Sequence, residues 1–148
     1  MNATDQRVYE AYVLATPERI WQALTDPSLT EQYFFGTSVE SDFNHQAPIR
    51  YRNAQGGVDA DGEIVEASEN LRLAYTFRPA WSPSMEDVEP GTVSWEIEPS
   101  GEMSKVTLTH NGFDFSSPGA EQVHAGWVLT LSSLKTLLET GKPLTPGG

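Results

Sequence analysis

Three histidines and five tyrosines are the side chains of this 148-residue chain best suited to handling protons, and no cysteine accompanies them. Without cysteine there is no thiol nucleophile, no thiolate metal site and no disulfide framework. His45, His110 and His124 are scattered and show no metal-ligand spacing. His110 falls in phase with Val106 and Leu108, which turns it inward on a strand; with Tyr75 it makes the one pair suited to proton transfer. A buried histidine held by a hydrogen bond is the plainer reading of that position. The run Asp59-Ala60-Asp61-Gly62-Glu63 has some of the acid spacing of a calcium loop. It lacks the third ligand before the glycine and the distal bidentate glutamate, and reads as the solvated face of a strand. No serine nucleophile elbow, phosphate loop or paired-carboxylate motif is present. The residues therefore assign no catalytic group, no metal site and no cofactor.

What the chain offers instead is aromatic surface. Tyr75, Phe77, Trp95, Leu108 and Trp127 fall at strand or helix spacings that turn them to one interior, with Phe34 and Phe35 at one mouth. Such residues can line a pocket for an apolar molecule, or simply fill a core. Magnitude separates the two. An empty void of about 300 Å³, the low end for ligand pockets, costs several kcal/mol at about 24 cal/mol per Å³, a large share of a usual stability of about 5–15 kcal/mol. A chain keeps such a void when it is occupied or wet. The stretch from Pro79 to Pro90 is long for a hairpin connection, and Trp81 and Met85 within it suit a lid over an apolar guest, or packing on a sheet edge.

The elements that must position these residues are legible from end to end. A long C-terminal helix carries Val123, Trp127, Leu131, Leu134 and Leu138 on one side. Ser117-Pro118 supplies its start, and Gly141 with Pro143 its stop. Gly126, inside this helix, costs about 1 kcal/mol against alanine, which suggests room beneath it beside Trp127. Arg7 to Ala15 reads as a strand apolar on both faces, so alternation does not say which face points inward. Thr16-Pro17 and Asp26-Pro27 then open two short helices in tandem, ending near Tyr33-Phe34-Phe35-Gly36. Strands follow over Ile49–Arg52, Val58–Ala67, Leu71–Arg78, Thr92–Glu98 and Lys105–His110, with a turn at Gly56-Gly57. A run of strands closed by a helix is α+β. The length suits one domain over 1–148, with 7–144 its ordered part. A net charge of −12 disfavours nucleic acid and anionic lipid surfaces. Neither a signal pattern nor a membrane-length apolar run appears, so the cytoplasm is the expected location.

Three stretches carry a family likeness: Ala15 through Pro27, Lys105 through Phe113, and Gly126-Trp127 through Leu144. In their order and spacing the chain resembles the helix-grip proteins of the START and polyketide-cyclase (SRPBCC) superfamily, and within it single-domain homologues of the activator of the heat-shock-protein-90 ATPase. It departs from the usual pattern at Tyr33, where tryptophan is common, and near Ala67-Ser68, where proline is frequent. The resemblance implies a curved antiparallel sheet wrapped around the long C-terminal helix, with a cavity between them. It implies a small hydrophobic or amphipathic ligand of the lipid, polyketide or aromatic class, bound by a monomer or weak dimer. Phe34, Phe35, Tyr75, Phe77, Trp81, Trp95, Leu108, His110, Gly126, Trp127 and Leu131 are the expected lining. The alternatives are a co-chaperone-like domain serving the stress response and a cyclase- or lyase-type enzyme using the same cavity; a binding protein is the leading expectation.

Overall fold

Local capping fixes the first turn of the chain. In the computed structural model, which describes residues 6–80, 90–113, 116 and 120–144, strand β1 (Gln6–Val13) is followed by helices α1 (Pro17–Thr25) and α2 (Pro27–Tyr33). Thr16 Oγ1 accepts from the Arg19 amide at 3.2 Å, and Pro17 occupies the first helical position. Asp26 does two jobs. Its amide closes α1 on the Gln22 carbonyl, while its carboxylate accepts from the Ser28 amide at 2.9 Å to open α2.

Six further strands complete one antiparallel sheet: β2 (Ser38–Glu40), β3 (Pro48–Arg52), β4 (Val58–Ser68), β5 (Arg72–Pro79), β6 (Gly91–Ser100) and β7 (Met103–Asn111). The spatial order β1-β7-β6-β5-β4-β3-β2 leaves β1 and β2 as the two edges. Helix α3 (Ala120–Thr140) packs across the inner face of this curved sheet, which makes the α+β helix-grip arrangement. All five stripe residues of α3, from Val123 to Leu138, are buried. Opposite them lie Tyr75, Phe77, Trp95, Val106 and Leu108, also buried. On β1 the inward residues are Tyr9 and Val13, while Val8, Tyr12 and Leu14 face solvent. Two expectations change. Strand β2 has no counterpart in the sequence reading. Leu71, expected to open its strand, belongs to the preceding turn, where its amide bonds the Ser68 carbonyl, and it is 60% exposed.

The sheet bends where β4 crosses β5. The register shifts between Ile64 and Glu66, and the Glu63 amide bonds the Thr76 hydroxyl at 2.9 Å. A β-carbon at Gly62 would sit 1.7 Å from the Thr76 carbonyl oxygen, so only glycine permits this approach. The Asp61 carboxylate next to it pairs with Arg78 through two guanidinium nitrogens at 3.1 and 3.2 Å, as a solvated strand face would.

Helix α3 is tied down near its C-terminus. Lys135 Nζ bonds the Tyr12 carbonyl at 2.7 Å, Glu139 accepts from the Leu14 amide at 2.8 Å, and Arg19 bonds the Leu138 carbonyl at 3.0 Å. Toward its N-terminus it is tied to the sheet by the Tyr9 hydroxyl bonded to His124 Nδ1 and by Trp127 Nε1 donating to His110 Nδ1, both at 2.9 Å. Among the described residues no helix is long and apolar enough to cross a membrane. The expected helix start at Ser117-Pro118 and the lid residues Trp81 and Met85 lie outside the described residues.

Candidate functional site

A cavity of about 320 Å³ opens beside the N-terminal half of α3. Val123, Trp127 and Thr130 border it from α3, Tyr51, Ala60 and Phe77 from strands β3 to β5, and Phe34 from the end of α2. Aromatic rings make most of the wall. Phe34 meets Tyr51 at 4.6 Å and Trp127 at 5.7 Å between centroids, and Phe77 meets Trp127 at 5.0 Å, the offset and edge-on distances that such rings prefer.

The rim is built by a helix ending. After α2 the chain turns through Phe35 at φ 53° and Gly36 at φ 72°, both left-handed. Only glycine adopts that region freely, so Phe35 is held there against its preference. The turn leaves Phe35 56% exposed, with its ring facing Gly126. A β-carbon on Gly126 would lie 3.7 Å from that ring, an ordinary contact, and meets nothing of the sheet. Gly126 therefore widens the mouth rather than easing helix–sheet packing.

Behind the wall lie two buried polar chains. Trp127 Nε1 donates to His110 Nδ1 at 2.9 Å. An indole N–H can only donate, so the imidazole is neutral with its hydrogen on Nε2. Burial lowers the His110 pKa from 6.5 to about 4, which agrees. The second chain runs from Trp95 Nε1, which donates to the Tyr75 hydroxyl at 3.0 Å, to the hydroxyl of Tyr51, 3.1 Å from that of Tyr75. Burial pushes the Tyr75 phenol up to about 12 and Tyr51 well above its ordinary value. Neither His110 nor Tyr75 is poised to exchange a proton near neutrality. The arrangement offers a largely apolar surface backed by neutral hydrogen-bonding groups, with Asp59 at its border.

Of the residues expected to line a pocket, Phe34, Phe35, Phe77, Gly126 and Trp127 border this cavity. Tyr75, Trp95, Leu108, His110 and Leu131 are buried behind it, and Trp81 is outside the described residues. Thr37, Tyr51, Asp59, Gln122 and Thr130 border it without having been singled out. Two of these left a signal. Tyr51 follows Ile49 in inward alternation, and Thr130 stands four residues after Gly126 and three after Trp127, on the same side of α3.

Solved structures share this fold at low sequence identity. The solution structure of the Aha1 dimer from Colwellia psychrerythraea is 20% identical with a TM-score of 0.74, covering 93% of this chain and 98% of that one. Protein MLL2253 from Mesorhizobium loti is 23% identical with a TM-score of 0.72, over 90% and 96% of the two chains. CalU16 from Micromonospora echinospora is 20% identical with a TM-score of 0.74, over 95% and 77%. No curated protein matches the chain. The sequence model of the family described as Activator of Hsp90 ATPase homolog 1-like protein matches residues 14–139, from the end of β1 to the end of α3. The chain belongs to the Activator of Hsp90 ATPase homolog 1-like family.

Proposed function

We propose that this protein binds a small, predominantly apolar molecule in the cavity between α3, the turn after α2 and the sheet. The observation that carries the reading is the unfilled space of about 320 Å³ beside Gly126. A larger side chain there would gain contact at about 24 cal/mol per Å³ of void removed. The chain instead places a glycine on the helix and turns Phe35 toward solvent in a disfavoured backbone conformation. Both choices keep the mouth open at a cost in stability, a pattern expected of a binding site. A catalytic role has weaker support, since His110 and Tyr75 both titrate far from neutrality and His110 Nδ1 is taken up by Trp127. The test is a titration with a neutral fluorescent probe such as N-phenylnaphthylamine, followed through probe emission and tryptophan quenching. Saturable one-to-one binding, competed by other apolar molecules, is the expected result. A panel of neutral aromatic and aliphatic probes with no saturable binder would overturn the proposal.

A second reading follows from the family itself: contact with the heat-shock-protein-90 chaperone, for which a net charge of −12 would suit a basic partner surface. Added to that chaperone, the protein would then raise its ATPase rate in a manner weakened by salt. No stimulation at micromolar excess sets this reading aside. We place the protein in the cytoplasm, as a monomer or weak dimer.

A further inference from the structure

We propose that the cavity discriminates by charge, and that the carboxylate of Asp59 recognises a protonated amine carried on an apolar body. The inference rests on the cavity being a binding site. Among the described residues that border it Asp59 is the one acid, and an irregularity of the sheet brings it there. Across the β3–β4 ladder Arg52 stands opposite Val58 and Tyr51 opposite Ala60, so Asp59 has no partner and is the extra residue of a β-bulge. Tyr51 and Ala60 are both buried on the inner face. Regular alternation from Ala60 would send Asp59 to the outer face, where Asp61 meets Arg78. The bulge overrides it. Asn53, two residues after the inward Tyr51, donates from Nδ2 to Asp59 Oδ1 at 2.8 Å and so keeps the carboxylate on the cavity's side of the sheet. The Asn53 amide is itself fixed, because its oxygen accepts from the Gln55 and Gly57 amides, both at 3.0 Å.

The carboxylate so placed is left without a cation. Arg52 is engaged by Glu40 at 2.8 Å and by the Gly56 carbonyl at 3.0 Å, and Arg78 by Asp61 at 3.1 Å. Among the described residues no lysine, arginine or histidine borders the cavity, and Asp59 makes no ion pair. Its Oδ2 accepts no hydrogen bond from them, and the residue is half-buried rather than enclosed, so a guest can reach what water reaches. A carboxylate partly shielded from water beside an apolar space favours a positive guest and repels a negative one. The walls act in the same sense. Phe34, Tyr51, Phe77 and Trp127 border the cavity with aromatic rings, whose faces attract an ammonium group within about 6 Å of the ring centre. The net charge of −12 draws cations to the whole surface, but the bulge, the Asn53 tether and the rings converge at one place.

The test uses three probes of one shape: naphthylmethylamine, which is protonated at neutral pH, ethylnaphthalene and naphthylacetate. Calorimetric titration of the parent protein at low salt should show the amine binding about five- to thirtyfold more tightly than the hydrocarbon, between an exposed ion pair and a shielded charged hydrogen bond. Naphthylacetate should bind weakest, and added salt should narrow the amine's advantage. Asp59→Asn keeps an oxygen for Asn53 and removes the charge, so it should abolish that advantage. Unchanged affinity for ethylnaphthalene certifies that the variant is folded with the cavity intact; were that affinity lost too, the parent's ranking of the three probes and its salt dependence decide. Asp61→Asn removes an equal charge from the outer face and should leave the advantage in place. Equal binding of amine and hydrocarbon by the parent overturns the proposal. So does an advantage that survives Asp59→Asn, or one that falls equally in Asp61→Asn, which traces it to the acidic surface as a whole. In each of these outcomes the hydrocarbon still binds and the binding site stands. If none of the three probes binds the parent, the cavity reading itself fails and takes this one with it.

Discussion

The ring of Phe35 faces Gly126 of α3 across the mouth of the cavity: a β-carbon built on the glycine would approach Phe35 Cε2 to 3.7 Å and Cζ to 3.8 Å. Two residues far apart in sequence thus frame one opening, the first by swinging an aromatic ring out of the interior, the second by having no side chain. The pairing makes the width of the mouth a matter of side-chain bulk at two positions.

Gly126→Leu should therefore fold and lose ligand. The first carbon added meets only the movable Phe35 ring, and leucine favours helix by about 1 kcal/mol over glycine. The remaining carbons would occupy the mouth or press Phe35 outward. We expect an unchanged or slightly raised melting temperature together with a loss of probe affinity of about tenfold or more, roughly 1.4 kcal/mol. Melting and titration of the same sample check both halves; a strongly destabilised variant would mean that the helix packs here more tightly than the contact distances allow.

Gly62→Ala should behave in the opposite way. Its new carbon would fall 1.7 Å from a backbone oxygen of β5, which cannot rotate aside. The cost is expected at or above the upper end of the about 1–3 kcal/mol usual for overpacking. Urea denaturation of the two glycine variants side by side tests the contrast.

Acid should weaken the fold through His110. Its folded pKa of about 4 lies below the ordinary 6.5, so the unfolded chain binds the extra proton first. Above pH 6.5 both states are neutral at this site and the stability is fully present. As pH falls from 6.5 toward 4 it is lost, with a slope of at most about 1.4 kcal/mol per pH unit. Glu66 and Glu139, with pKa values lowered by their partners, add losses of the same sign at lower pH. Urea melts between pH 4.5 and 7 should show the His110 slope in the parent and lose it in His110→Gln, whose amide oxygen can still accept from Trp127.

Thr130→Val should stabilise the unliganded protein. It replaces a buried hydroxyl without a partner by a methyl group of nearly the same size, a gain of about 1 kcal/mol. Thermal denaturation without any added ligand checks this, and a destabilised variant would show that the hydroxyl is satisfied in the free protein.

What the sequence made legible follows from how local each signal is. Thr16-Pro17 and Asp26-Pro27 announce α1 and α2 because a cap and its amide lie within three residues of each other. Val93, Trp95 and Ile97 read as inward because alternation is a property of the strand itself. Strand β2 escaped because three residues are too few for a period, and its pairing of Ser38 with Arg52 is settled by the partner. The site divides along the same line. Alternation says which face of the sheet is inside, but not where between sheet and helix the side chains fail to fill the space. Tyr75, Trp95, Leu108, His110 and Leu131 are all inside, and they meet enough bulk to close around one another. The gap opens nearer the start of α3, where Gly126 stands and Phe35 turns away, and that depends on one backbone dihedral no pattern reports.

The ties that hold α3 also have a mechanical meaning. Lys135, Glu139 and the Leu138 carbonyl latch the last turns of the helix to β1 and α1, and nearer Gly126 the bonds of His124 to Tyr9 and of Trp127 to His110 fasten it to β1 and β7. The helix is a beam on two supports, and the cavity sits beside the second. A guest larger than the resting space would have to enter by displacing the exposed Phe35 ring at the mouth, because lifting the beam would break buried bonds.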